Sequence, residues 1–229
     1  MICLYVQAPF AAFRTFTAGS FRPTAGFITP SAAYGLALNI ANIESRFDDG
    51  KSAMTLMKAD LPRVKIALGA LCFPHLQSLY QQAHNYPIGK DAGAQYVPLS
   101  KGNKYNITPT RREFLGDLRA YICLDENSEL EHRVRDGLAG TYNANRYGMP
   151  FLGDNNFMVD VLREETEKRP AYWYQKIAQH DANSPMPRTT RLSLTIDRQN
   201  MANTMGALFF PGTDPTLTIP DNAWVMVPV

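Results

Sequence analysis

The sequence predicts an α+β fold of the ferredoxin-like, split βαβ kind. Three segments alternate apolar and polar residues with a strand's period of two, and two others carry apolar residues at helical spacing. They follow one another as β-α-β, insertion, β-α, and one further strand completes the unit.

The elements can be justified in order. Ile2, Leu4, Val6 and Ala8 alternate with Cys3, Tyr5 and Gln7, which reads as a half-buried first strand. A loop with Pro9, Gly19, Pro23, Gly26 and Pro30 follows, and Ser31 as N-cap opens a helix with Ala33, Leu36, Ala37, Ile40 and Ile43 on one face. That helix should run about four turns and end near Asp48-Asp49-Gly50. Residues 63–73 read as a second strand with Val64, Ile66, Leu68 and Ala70 on one face. Residues 74–110 spread seven prolines and glycines among polar, basic and tyrosine residues and read as an inserted hairpin or long functional loop. In 111–124, a third strand, Leu118, Ala120, Ile122 and Leu124 point inward and Arg119, Tyr121 and Cys123 outward. Ser128-Glu129-Leu130-Glu131 has the form of a capping box and begins a second helix over 129–139. Phe157 to Leu162 is the expected fourth strand, and 189–197 and 223–227 add strands to a β-rich C-terminal extension over 165–229. No clean linker interrupts the chain, so 1–229 is read as one elaborated domain.

With 45% hydrophobic and 11% aromatic residues, the chain can bury enough apolar area to offset backbone ordering, which excludes bulk disorder. Cys3, Cys72 and Cys123 form no C-x-x-C pair, so neither a disulfide framework nor a zinc site is expected and a reducing cytoplasm fits best. The start MICLYVQAPFAAF lacks the basic region of a signal peptide, and no stretch approaches the roughly 18 apolar residues of a membrane span. A soluble cytoplasmic protein without metal or cofactor is the expectation.

Net charge is only +2, yet it is unevenly placed. Residues 1–119 hold 13 Lys+Arg against 7 Asp+Glu, whereas 120–229 hold 10 against 14. The first 43 residues carry Arg14 and Arg22 and no acid, and 101–112 (KGNKYNITPTRR) carry four bases and no acid. Such polarity suits a subunit that holds an anion on one side and a protein partner on the other, with the acidic stretch 120–170 as the protein-facing part.

No phosphate-cradling glycine loop, no G-x-S-x-G and no H-E-x-x-H occurs. One cluster, His84, Tyr86 and Lys90, offers an imidazole beside a phenol and an ammonium, a set able to serve metal-independent RNA cleavage. The stronger pattern is for binding. Lys101, Lys104, Arg111 and Arg112 interleave with Asn103, Tyr105, Asn106, Thr108 and Thr110, mixing phosphate-pairing cations, base-edge amides and a stacking ring. The earlier loop adds Arg14 and Arg22 among Phe13, Phe16 and Phe21, with Phe13 read as core, and delivers the chain to Ser31 at a helix N-terminus, where free N–H groups suit a phosphate. Tyr5 and Tyr121 project from the outward phase of two strands, where they either stack on unpaired bases or cover the sheet against the C-terminal segment.

LYVQAPFAAFR, FRPTAGFITPSAAYGLALNIANIE and PIGKDAGAQ…KGNKYNITPTRREFLGDLRAYICL together resemble the CRISPR-associated protein five family, in its DevS-like (Myxan) branch linked to type I-B systems. The similarity covers nearly the first 125 residues. It implies an RRM-related domain with a thumb-like insertion, the subunit that grips the 5′ handle of CRISPR RNA at the foot of the Cascade antiviral surveillance complex. The loop from Arg14 to Tyr34 and the segment Lys101 to Arg112 would form the handle-binding surface, and residues 80–104, Lys90 among them, the thumb. Implied partners are the crRNA handle, the backbone and large subunits, the repeat-processing nuclease and, indirectly, target DNA. Some relatives in another subtype cleave repeat RNA themselves, which keeps a metal-independent endoribonuclease built on His84, Tyr86 and Lys90 as the alternative to a noncatalytic scaffold.

Overall fold

A computed structural model of the chain describes residues 1–15, 21–51, 56–87, 98, 105–142, 148–178, 186–197 and 200–228, and of 83–87, 105–108 and 201 the backbone alone. Its centre is four antiparallel strands: β1 (Ile2–Ala11), β5 (Val64–Ala70), β7 (Tyr105–Asp125) and β8 (Val161–Glu164), in the spatial order β5-β7-β1-β8. Helices α1 (Pro30–Ile40) and α2 (Ser128–Ala139) connect β1 to β5 and β7 to β8. Two interleaved split βαβ units result, which is consistent with a ferredoxin-like domain.

Strand alternation produces two cores. Ile2, Leu4, Val6, Leu118, Ala120, Ile122, Val64, Ile66 and Leu68 pack on the face that carries both helices, against Ala33, Leu36, Ala37, Leu130 and Val134. The opposite phase, Cys3, Tyr5, Ala67, Tyr121 and Cys123, packs under Ala171, Trp173 and Ala223 from the C-terminal segment. Asp117, at φ 55°, interrupts the alternation, so that Leu115 and Leu118 both reach the helix-side core.

Several boundaries differ from the sequence expectation. Thr29, not Ser31, caps α1, its hydroxyl accepting from Ala32 N at 3.2 Å, and Ser31 lies inside the first turn. The helix ends after 11 residues because Asn42 turns left-handed at φ 51°, and the residues assigned to its last turn pass into a small ladder of β3 (Arg46–Phe47) and β4 (Leu56–Met57). Asn127, whose Oδ1 accepts from Leu130 N at 2.9 Å, takes the capping role assigned to Ser128, while Glu131 reaches the Met1 amino nitrogen at 2.8 Å. The last central strand begins at Val161 because a Phe151–Met158 bridge closes the preceding segment into a turn.

Of residues 74–110, the described stretches 75–87 and 105–110 form the two arms of a hairpin. β6 (His75–Pro87) pairs antiparallel with the first part of β7, from His75 opposite Gly116 to Pro87 opposite Tyr105, so the third strand starts well before residue 111. Period-two patterning fails there because residues 75–80 are exposed on both faces. C-terminal strands β9 (Tyr172–Lys176), β10 (Thr190–Thr195) and β11 (Met205–Pro211) extend the sheet beyond β5, and β12 (Val225–Val227) also pairs with β5. No described helix is long and apolar enough to cross a membrane.

Cys3 and Cys123 stand directly opposite on β1 and β7 and are joined as a disulfide, which corrects the expectation of none. Spacing along the chain carries no sign of this pairing, because strand register creates it. Cys72 is free; burial above all, and then the nearby Asp117 carboxylate, push its thiol pKa upward. Thiol titration of the native, unreduced protein should therefore count one slowly reacting thiol, and three after denaturing reduction. Three without reductant would refute the bond.

Candidate nucleic-acid interface

β2 (Phe21–Arg22) runs parallel to β7, with Phe21 opposite Arg111 and Arg22 opposite Arg112. The loop before it is pinned by Thr24, whose Oγ1 accepts from Phe13 N at 2.8 Å and whose own N–H donates to Glu113 Oε2 at 3.3 Å, while Arg14 bridges to Thr24. Four arginines from two distant segments thus converge on the base of the hairpin.

Their states differ. Arg112 is 8% exposed, donates to Asp154 Oδ2 and lies 5.0 Å over the Phe157 ring. Burial first, and then the like charges of Arg22 and Arg14, lower its pKa. Arg112, expected as an RNA-binding residue, is thus a buried side chain paired with Asp154. Arg111 is exposed on the other phase of β7, near Ser78 Oγ at 3.4 Å and 5.8 Å from the Phe21 ring. Arg14 and Arg22 are exposed and make no ion pair among the described residues. Arg14, Arg22 and Arg111 therefore face outward without an ion pair among the described residues, beside Arg112, which has one, and such exposed guanidiniums suit an anion.

Phe10, Phe114 and Phe157 form an aromatic cluster beside this group, with Phe10 and Phe114 edge to face at 5.4 Å. Phe10 is 45% exposed and offers a ring on which an unpaired base can stack. Sequence patterning singles out neither Phe10 nor Asp154 for the site and reads Phe157 only as the start of a strand, because Phe10 follows Pro9 in what reads as a loop and FLGDNNF carries no motif.

Among the other expected site residues, Ser31 is half-buried with its Oγ 3.1 Å from Thr29 Oγ1, so its hydroxyl is engaged with the cap. Tyr34 is buried and its hydroxyl donates to Pro62 O at 2.7 Å; burial pushes its pKa well upward. Phe16, Lys90, Lys101, Asn103 and Lys104 lie outside the described residues, as do the side chains of His84, Tyr86, Tyr105, Asn106 and Thr108. Tyr5 and Tyr121 are covered by the C-terminal segment, and the Tyr121 hydroxyl accepts from Arg169 N at 3.0 Å, so neither is a base-stacking platform.

No protein-family model matches the chain, and no curated protein does. Solved structures do. A chain of a CRISPR RNA-guided surveillance complex superposes with a TM-score of 0.57 at 12% identity, covering 97% of this chain and 95% of that one. A second, described as a crystal structure of a Cas protein, gives a TM-score of 0.43 at 13% identity over 96% and 97%. The first likeness is one of fold.

Proposed function

We propose that the chain is a noncatalytic RNA-binding scaffold subunit of a type I-B CRISPR Cascade complex, which holds the 5′ handle of the crRNA at the base of its hairpin. The observation that carries this reading is the pair Arg14 and Arg22, exposed and without an ion pair among the described residues, set beside Arg112 and the open ring of Phe10. Phosphates suit the guanidiniums and a base suits the ring. The fold likeness to a chain of an RNA-guided surveillance complex, over nearly the whole length, supports the same reading, as do the sequence segments that resemble the CRISPR-associated protein five family. Leu76 and Tyr80, 61% and 71% exposed on β6, give the hairpin an apolar surface that a neighbouring backbone subunit would cover.

Electrophoretic or polarisation titration with repeat-derived RNA tests the reading. Arg14→Ala/Arg22→Ala should weaken binding roughly tenfold or more at moderate salt and flatten the log–log salt slope by about 1.4, two single-strand phosphate contacts' worth. An unchanged affinity and slope would remove these residues from the interface. The same RNA incubated with the protein in EDTA should stay intact; cleavage abolished by His84→Ala would instead establish the endoribonuclease.

A further inference from the structure

A second feature begins where the arginine group ends. Between α1, the β3–β4 ladder and the end of β10 lies an open cleft of about 520 Å³, within the range of sites that enclose a small ligand. Its walls include the apolar side chains of Phe13, Leu61, Phe151 and Ile196. Arg14, Arg46 and Lys58 supply its charge, and no Asp or Glu lines it among the described residues. Arg46 is oriented by Glu44, which accepts from its Nε at 3.1 Å, while Lys58 makes no ion pair among the described residues.

Gly35 marks the cleft as a space kept open. It sits inside α1, where glycine weakens a helix relative to alanine, and a Cβ built on it meets nothing within 4 Å. Neither a close backbone approach nor a left-handed turn calls for glycine there; what a side chain would occupy is the cleft itself. One turn further on, Asn39 is 7% exposed, donates from Nδ2 to Gly148 O at 3.1 Å, and keeps Oδ1 buried with no partner among the described residues.

We propose that this cleft takes one nucleoside monophosphate unit, its base between the apolar walls and its phosphate at Arg14 and Lys58. Apolar walls call for a ring system, and the acid-free cationic rim calls for an anion on it. The unit can come as a free mononucleotide or as a nucleotide turned out of a bound strand, and the second source rests on the RNA-binding reading because Arg14 belongs to both sites.

Titration calorimetry of the full chain with AMP, CMP, GMP and UMP, and polarisation with repeat RNA, test this on the wild type, on Gly35→Phe, which fills the cleft, and on Lys58→Glu from the opposite wall. The free source predicts binding of at least one monophosphate, at least tenfold tighter than its nucleoside and lost in both variants. The strand source predicts no monophosphate binding but an RNA affinity at least fivefold weaker in both. Circular dichroism should show Gly35→Phe folded, and Lys58→Glu carries the test if it is not. RNA binding that falls in Arg14→Ala/Arg22→Ala but is untouched by both cleft variants, with no monophosphate bound, would overturn the cleft proposal and leave the RNA reading intact. Monophosphate binding by a protein that holds no RNA would do the reverse. Binding of neither, or of an acidic peptide in place of nucleotides, would overturn the cleft proposal as well.

Discussion

Gly137→Ala should destabilise the protein by about 3 kcal/mol or more, lowering the melting temperature by roughly 6–12 °C for a chain of this size. A Cβ on Gly137 would lie only 1.9 Å from the carbonyl oxygen of Ile40 and 2.8 Å from its carbonyl carbon. Both are backbone atoms at the last turn of α1, so no rotamer change relieves the overlap and the two helices must separate. Arg133 on α2 also donates to Ala41 O at 3.1 Å, and that bond would be lost with the movement. The same substitution at Gly35 should act oppositely and raise stability by about 1 kcal/mol, since only helix propensity changes there. Thermal melts of the two variants check the pair; shifts of the same sign would discredit the helix crossing described above.

Trp173→Ala should cost about 3–5 kcal/mol, measured by urea unfolding. Its ring is fully buried, lies against Tyr121 with centroids 6.2 Å apart, and donates from Nε1 to Thr216 O at 3.0 Å. Gly69 is tailored to it, for a Cβ there would stand 2.8 Å from the indole. The loss would uncover Tyr5 and Tyr121 and quicken proteolysis of the C-terminal cover. A variant that kept its stability and instead changed RNA affinity would show that this face of the sheet, not the arginine edge, carries the ligand.

Patterning revealed the elements that have one dry face. The alternations in β1, β5 and the second half of β7 were readable because each places one phase against α1 and α2. Their other phase was ambiguous, since what buries Tyr121 is Trp173, and no local rule connects residues 121 and 173. The helix starts fall one or two residues before the serines that patterning picks out, at Thr29 and Asn127, because both kinds of residue cap well and tertiary context decides between them. The arginine group was half legible. Acid-free composition singled out Arg14, Arg22, Arg111 and Arg112, but only the pairing of β2 with β7 brings the two pairs together, and only Asp154 decides that Arg112 is spent. The cleft leaves no mark in the sequence, because its walls come from segments spread from residue 13 to residue 228.

β7 is 21 residues long, which at about 3.3 Å per residue gives a rod of roughly 70 Å. Its first part is one arm of the hairpin, and its second part is hydrogen-bonded on both sides, to β1 and to β5. A load applied at the hairpin tip therefore arrives as shear along two ladders at the centre of the domain, where many bonds must fail together, instead of peeling a loop from the surface one bond at a time.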